Sequence, residues 1–233
     1  MRSPSPDRPR PTASVAALLA SALALVADGL FLLHRDLGTF EYWIEEDSFV
    51  EWATFGILLG MTVLAARRAV VFGPGGARRI WIAATLVCLF GAAEEISYGQ
   101  RVVGWDSPPW FLEHNRQQET NVHNLMWGQV NINRVIFGKW LTIAIVLYLL
   151  VLTPLARRGT SLRAFVDRLG VPLPRASPIL LYIAVALVVR AHHDITDETN
   201  ELMELYGCAT FLAILLDPAN PEAAAPGAGT ARC

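Results

Sequence analysis

Two adjacent carboxylates, Glu94 and Glu95, stand near the end of a long apolar run. A helix over the run from Ile80 to Gly99 would be about 30 Å long, close to the thickness of the hydrocarbon core of a bilayer. Both acids would then lie in the last third of a membrane span, where ionisable groups usually face a protein interior or a wet cavity. Because two close anions cannot both stay ionised at low dielectric constant, a buried pair would hold a proton or a cation. The alternative is that the helix ends at Ala93 and that both carboxylates are solvated among the lipid headgroups.

A second set of polar side chains follows between Trp105 and Trp127, a segment too polar to span a membrane. Its Trp and Phe residues are typical of the membrane interface, where amphipathic rings settle. Glu119 and His123 stand four residues apart, so on a helix this carboxylate and imidazole could share one cation. A hydrogen-bonded surface pair is the alternative for these two residues.

A third polar segment, residues 190–201, separates the last two apolar runs. If it is helical, its acids and one imidazole form a continuous polar stripe. The members of the stripe are His193, Asp197, Glu201 and Glu204. Both flanking runs are shorter than the ~20 residues of a crossing helix, and paired interrupted segments point to a binding site at membrane depth. A solvated acidic loop capped by Thr196 or Asp197 is the alternative.

A fourth acidic group, from Glu45 to Glu51, precedes the second apolar run. Asp47 or Ser48 suits the N-cap of a helix, and acids in the first turn interact favourably with the helix dipole. These ordinary roles account for most of the group. Glu51 is the one member that we add to the candidate site.

The elements that must position these groups are membrane helices. The chain has 233 residues, of which 53% are hydrophobic and 17% charged, and its mean hydropathy of +0.38 is too high for an ordinary soluble domain. Six apolar runs of helical length lie at about 14–33, 49–71, 80–99, 136–155, 178–191 and 201–216. We therefore predict an all-α integral membrane bundle of about six transmembrane helices over residues 14–216, with an interfacial segment between the third and fourth helices. Residues 1–13 and 217–233 are predicted to be disordered tails.

Several function classes are excluded. A net charge of −2 gives no basic footprint for nucleic acid. The three cysteines show no CxxC spacing, so neither a disulfide framework nor a thiolate zinc site is indicated. HExxH, GxSxG, P-loop and GxGxxG motifs do not occur in the sequence.

Clusters of arginine alternate along the chain with clusters of acids and histidines. By the positive-inside rule the arginine-rich connections are cytoplasmic, which places both termini in the cytoplasm of a bacterial cell and the acidic hairpin tips outside. Membrane lipids are the predicted partners. Residues 1–27 have a second interpretation as a cleaved signal peptide.

The segment E-E-I-S-Y-G-Q-R from Glu94 to Arg101, followed by Asn115, Glu119, Asn121, His123 and Asn124, resembles a group of bacterial multi-pass membrane proteins. Members of that group carry an E-E-I-S-W/Y-G-Q-R segment and a downstream N-x-x-x-E-x-N-x-H-N segment. The resemblance covers residues 94–124 and implies a membrane location and a site, but no reaction.

Together these groups predict a metal-assisted hydrolase or transferase that acts on a lipid or lipid-linked substrate from an outward-facing pocket. Oxygen and imidazole ligands suit Zn, Mn or Fe, and such an ion could activate water or polarise an ester or phosphoryl oxygen. The predicted metal ligands are Glu94, Glu95, Glu119, His123, His193 and Glu201. The predicted catalytic residues are Glu94, Glu95, His123 and Glu201. The predicted substrate-binding residues are Gln100, Arg101, Asn121, Asn124 and Arg190.

Two alternatives use the same side chains. In a transporter or a proton- or cation-conducting protein, the carboxylates would relay the ion. Such a pathway needs polar residues in the cytoplasmic half, where Ile80 to Phe90 and Ala209 to Leu216 are almost wholly apolar. In a non-catalytic membrane subunit, the acids would instead point away from the bundle.

Overall fold

The computed structural model describes residues 13–44, 48–196 and 199–223. Several acids of the predicted polar segments lie outside the described residues. They are Glu45, Glu46, Asp47, Asp197 and Glu198.

Most of the described chain is helical, which confirms the all-α prediction. The helices are α1 (Ala13–Arg35), α2 (Leu37–Ile44), α3 (Phe49–Val71), α4 (Gly76–Glu95), α5 (Gln100–Val103), α6 (Pro109–His114), α7 (Leu141–Val146), α8 (Thr153–Arg158), α9 (Thr160–Arg168), α10 (Ala176–Arg190) and α11 (Thr199–Leu216). Two π-helical stretches, Asn133–Trp140 and Leu147–Leu152, join α7 and α8 into one long helix over residues 133–158. The 3₁₀ turns are Ser97–Gly99 and Pro221–Ala223. Strands β1 (Met126–Trp127) and β2 (Val130–Asn131) form a small antiparallel hairpin in which Met126 pairs with Asn131.

Within the described residues, four helical segments are long and apolar enough to cross a membrane. They are Ser14–Arg35, a segment that includes α3 (Phe49–Val71), Gly76–Glu95 and Gly138–Arg158, and Ala176–Arg190 is a shorter apolar helix. These four segments correspond to the first four apolar runs of the sequence. The protein is therefore a helical protein with several apolar helices compatible with membrane insertion.

The last long helix, α11, lies at the centre of the packing. It contacts α1, α3 and α10, and most of its residues are buried. Leu202, Leu205 and Tyr206 belong to a core shared with α1, α2, α3 and α10, whereas Leu215 belongs to a second core shared with α3 and α4. A helix covered on three sides depends on tertiary packing more than on its own propensity.

Gly29 lies where α1 packs against α11. A Cβ atom at this position would lie 2.8 Å from Cδ2 of Leu202 and 3.0 Å from the Trp43 ring. Leu202 is fully buried, so it has little room to move aside. A small residue is therefore required where α1 crosses α11.

We expect Gly29→Val to destabilise the protein by about 1–3 kcal/mol, because overpacking a filled interface forces side chains and backbone to move. Gly56→Val is the matched control, since a Cβ at Gly56 in α3 meets nothing within 4 Å. Thermal unfolding in detergent measures the difference. Equal melting temperatures for the two variants would contradict the close approach.

At the opposite end of α11, side chains from other segments bind its C-terminus. The Arg68 guanidinium donates to the Leu215 carbonyl oxygen and lies over the Trp81 ring, 4.6 Å from its centroid. Arg175 forms a two-bond ion pair with Asp217, with N to O distances of 2.8 and 2.7 Å. Basic groups are favourable at a helix C-terminus, where carbonyl groups lack helical partners. Packing therefore continues past Leu216 into residues that the sequence analysis assigned to the C-terminal tail.

Candidate functional site

The chain turns sharply where α4 ends, at Glu95. Ser97, Tyr98 and Gly99 follow with φ angles of 44°, 56° and 80°, so three consecutive residues adopt the left-handed conformation. Two of them carry side chains, for which this conformation is unfavourable. The turn therefore needs support from its surroundings, and the side chains of residues 115–124 provide it.

Glu94 is the main link between α4 and this loop. Its side chain is only 4% exposed, and its Oε2 accepts from the backbone N–H groups of Val122 at 2.8 Å and His123 at 2.7 Å. The Nδ1 atom of His123 lies 3.3 Å from the same oxygen. The Tyr98 hydroxyl also interacts with this carboxylate, and burial together with the negative charge of Glu94 raises the pKa of Tyr98. One buried carboxylate thus joins the end of α4 to the loop at residues 122 and 123.

Two asparagines organise the interior of the loop. Asn115 Nδ2 donates to the Asn121 Oδ1 at 2.7 Å, and the Asn115 Oδ1 accepts from the backbone N–H groups of Gln117 and Glu119. Asn121 Nδ2 donates to the Ser97 Oγ and to the Glu119 Oε2, both at 3.0 Å. Ser97 Oγ in turn donates to the Glu119 Oε2. Because asparagine side chains compete for backbone groups in this way, the segment is an irregular loop and not the helix on which the Glu119 and His123 spacing was based.

Three of the predicted substrate-binding residues, Gln100, Asn121 and Asn124, are engaged within the protein. Gln100 Oε1 accepts from the backbone N–H of Thr120 at 2.8 Å, and its Nε2 donates to the Ser107 Oγ at 2.9 Å. Asn124 Nδ2 lies 3.0 Å from Nε2 of His123. These contacts show a loop-holding role for all three residues. The side chain of Arg101 lies outside what the structure describes.

A separate group of acids, the acid cluster, comes together from three helices. It consists of Glu51 of α3, Glu95 of α4 and Glu204 of α11. The charges of Glu204 and Glu51 both act on Glu95, and so does the charge of the neighbouring Glu94. The charge of His123 acts on Glu204, which places the imidazole at the edge of the cluster. Glu204 is exposed and the other two are half-buried, although all three lie on packed helices.

Sequence reasoning found only part of this arrangement. Glu204 was a member of the predicted polar stripe but not of the candidate site, and its i, i+3 relation to Glu201 was the signal for including it. Ser97 and Asn115 were part of the motif that carries the resemblance but were not named as site residues, because neutral side chains give no chemical signal by themselves. Hydrogen bonds join Glu94 with the backbone of His123, and the charge of Glu204 acts on Glu95.

The remaining candidates lie in the connection between α10 and α11. Arg190 ends α10, His193 lies in the turns after it, and Glu201 lies in the first turn of α11. Residues 191–196 are turns and not helix, so the predicted stripe is interrupted between His193 and Glu201.

Among residues 13–44, 48–196 and 199–223, no three His, Cys, Asp or Glu side chains are grouped closely enough to hold a metal ion. The predicted ligands Glu94 and Glu119 are instead hydrogen-bonded to Val122, His123, Ser97 and Asn121. In the described part of the chain, the carboxylates of Glu94 and Glu119 therefore accept hydrogen bonds from protein groups.

No protein-family model, curated protein or solved structure matches this chain. The resemblance of residues 94–124 to a group of bacterial membrane proteins therefore stays a prediction.

We expect Glu94→Gln to destabilise the protein by about 1–3 kcal/mol, because hydrogen bonds to a buried carboxylate are stronger than those to a neutral amide. The loop should also detach more often, which would speed tryptic cleavage after the exposed Arg116. Thermal unfolding in detergent and limited proteolysis measure the two effects. Glu113→Gln, which neutralises an exposed acid of α6 just before the loop, is the control. The same stability and cleavage rate in both variants would show that Glu94 does not anchor the loop.

Proposed function

We propose that this chain is a six-span protein of the bacterial inner membrane whose acid cluster is the acid–base centre of an enzyme acting on a lipid or lipid-linked substrate from the outer leaflet. The observation that carries the proposal is the convergence of Glu51, Glu95 and Glu204 from three helices beside His123. Ionisable groups at such a depth are expensive in a bilayer and are retained for function.

Two more spans complete the bundle in this proposal. Helices α10 and α11 have 15 and 18 residues, which is short for a crossing helix. Their support as spans is that α11 is surrounded by α1, α3 and α10, so it must lie at the same depth as they do. The connection between α4 and the long helix, with its exposed Trp105, Trp110 and Trp127, would then lie at the outer interface.

The orientation follows from the arginines. Arg67, Arg68, Arg78 and Arg79 flank the turn between α3 and α4, and Arg157, Arg158, Arg163, Arg168 and Arg175 lie between α8 and α10. Both regions would be cytoplasmic by the positive-inside rule, which puts the acid cluster on the outer side.

We expect a reporter enzyme that is active only outside the cytoplasm to be active when it is fused after Arg116 and inactive when it is fused after Arg158. Alkaline phosphatase activity in intact cells measures this difference. The reverse pattern would overturn the orientation and, with it, the outer-leaflet substrate.

The chemistry of the cluster is proton exchange. Carboxylates that act on one another cannot all be ionised in a region of low dielectric constant, so Glu95 and Glu204 would share one proton. A shared proton leaves one carboxylic acid and one carboxylate, which is the pair that general acid–base catalysis requires. His123, fixed by Glu94 and Asn124, is placed to exchange protons between the cluster and the outside.

An enzyme is favoured over a transporter by the packing below the cluster. The second core, formed by Met61, Ala65, Ala69, Trp81, Cys88 and Leu215, lies between α3, α4 and α11 on the cytoplasmic side of the acids. An ion pathway would have to pass through this apolar layer. A one-sided pocket does not need to.

We expect the protein to show the infrared band of a protonated carboxyl group at neutral pH, because the removal of Glu95 from water, and then the charges of Glu204, Glu51 and Glu94, disfavour its ionised form. Glu95→Gln should lose the band, Glu204→Gln should shift or weaken it, and Glu113→Gln should keep it. A band that Glu95→Gln leaves in place, or that Glu204→Gln does not change, would contradict the shared proton.

The same variants test the reaction. Mass spectrometry of lipids from cells producing wild-type protein or Glu113→Gln should show a changed lipid species that is absent with Glu95→Gln. Identical lipids in all strains, together with proton uptake by vesicles containing the wild-type protein, would replace the enzyme with the transporter.

A bound Zn, Mn or Fe ion is the other way to neutralise the same acids, and it stays a prediction. Elemental analysis of the purified protein separates the two. Stoichiometric metal that is lost in Glu95→Gln and in His123→Ala would favour the metal-assisted reaction over the shared proton.

A further inference from the structure

A second feature lies at the other end of the bundle, on the outer surface of the hairpin formed by α3 and α4. A groove of about 210 Å³ runs between the two helices. Small residues, Ala66 and Ala69, form its floor on α3, and Ile82 and Leu86 form its side on α4. Its one polar hydroxyl, on Thr85, donates to the Trp81 carbonyl oxygen of its own helix, so the groove presents an apolar lining to a ligand.

One end of the groove is cationic. Arg78, in the first turn of α4, is among the lining residues and is exposed. Arg67 and Arg79 are exposed close by in the sequence, and no Asp or Glu occurs between Glu51 and Glu94. The hairpin therefore offers positive charge with no acid of its own to neutralise it.

The dimensions match one leaflet of a bilayer. From Arg78 to Leu86 the groove follows α4 for about 12 Å, while half of a hydrocarbon core is about 15 Å. A guanidinium at the membrane surface with an apolar groove leading inward from it is complementary to a phosphate and the acyl chain attached to it.

A second groove of the described bundle differs from this one in its charge. It encloses about 310 Å³ between α1 and α10, and its cation is Arg175. That guanidinium is already bound by the Asp217 carboxylate through two hydrogen bonds. An apolar groove with a neutralised cation has no preference for an anionic headgroup, so the two grooves differ in charge and not in shape alone.

We propose that the α3–α4 groove is a binding site for one anionic phospholipid of the inner leaflet. The proposal rests on the apolar lining of the groove, its length along α4 and the exposed Arg78 at one end. The phosphate binds Arg78, and an acyl chain lies against Ala66, Ala69 and Leu86. This site rests on the membrane location of the protein and is independent of the acid cluster, so it stands or falls separately from the proposed reaction.

Native mass spectrometry of the full-length protein with added phosphatidylglycerol or phosphatidylcholine tests the site. Wild-type protein should retain one phosphatidylglycerol molecule in preference to phosphatidylcholine. Arg78→Gln should bind it about tenfold more weakly, as expected for the loss of a charge-assisted hydrogen bond. Arg79→Gln removes the same charge from the next residue, which does not line the groove, and should bind as the wild type does. Ala66→Phe, which fills the groove and keeps every charge, should also lose the lipid.

Three results would overturn the proposal. Equal loss in Arg78→Gln and Arg79→Gln would show attraction to the general positive charge of the hairpin. Unchanged binding in a folded Ala66→Phe protein, or full displacement of the lipid by inorganic phosphate at low millimolar concentration, would show that the chain does not occupy the groove. If Ala66→Phe does not fold, as judged by circular dichroism and gel filtration, the comparison of the two arginine variants decides.

Discussion

The polar end of this protein depends on the hydrogen bonds that one buried oxygen, Oε2 of Glu94, accepts from Val122 and His123. The left-handed turn at Ser97 and Tyr98 is costly, and it is held by the hydrogen bonds of Ser97 with Glu119 and Asn121 and by the interaction of Tyr98 with Glu94. The loop network that follows is cooperative, because Asn121 contacts Ser97, Glu119 and Asn115 at once. A carboxylate that accepts hydrogen bonds within such a network can be buried without any contact with a substrate.

The two adjacent acids of α4 therefore have different tasks. Glu94 accepts hydrogen bonds from the loop through Oε2, whereas the charges of Glu204 and Glu51 on other helices act on Glu95. About 100° separates consecutive residues around a helix, which is enough to give two adjacent carboxylates different neighbours. Loop and cluster meet at His123, which contacts Glu94 and acts on Glu204.

The sequence was informative about helices and about which residues are chemically unusual. The long apolar runs predicted α1, α3, α4 and the long helix, because burial in lipid requires continuous apolar segments. The role of individual polar residues could not be predicted in the same way. Glu119 and His123 were paired by helical spacing, but the asparagines around them form a loop with its own hydrogen bonds. The charges of Glu51 and Glu204 act on Glu95 from residues far apart in the chain, and the packing of α3 against α4 and α11 brings these helices together.

The centre of the bundle is occupied by α11, the last long helix to be synthesised. While the ribosome is still making earlier segments, α1 and α3 have no third helix to pack against, and the cradle around Gly29 is empty. Glu51 and Glu95 are translated before Glu204, so the acid cluster is complete only after α11 has been made. A chain that stops before α11 leaves the apolar faces of α1, α3 and α10 without their central partner, and exposed apolar faces of this kind make incomplete chains prone to misassembly.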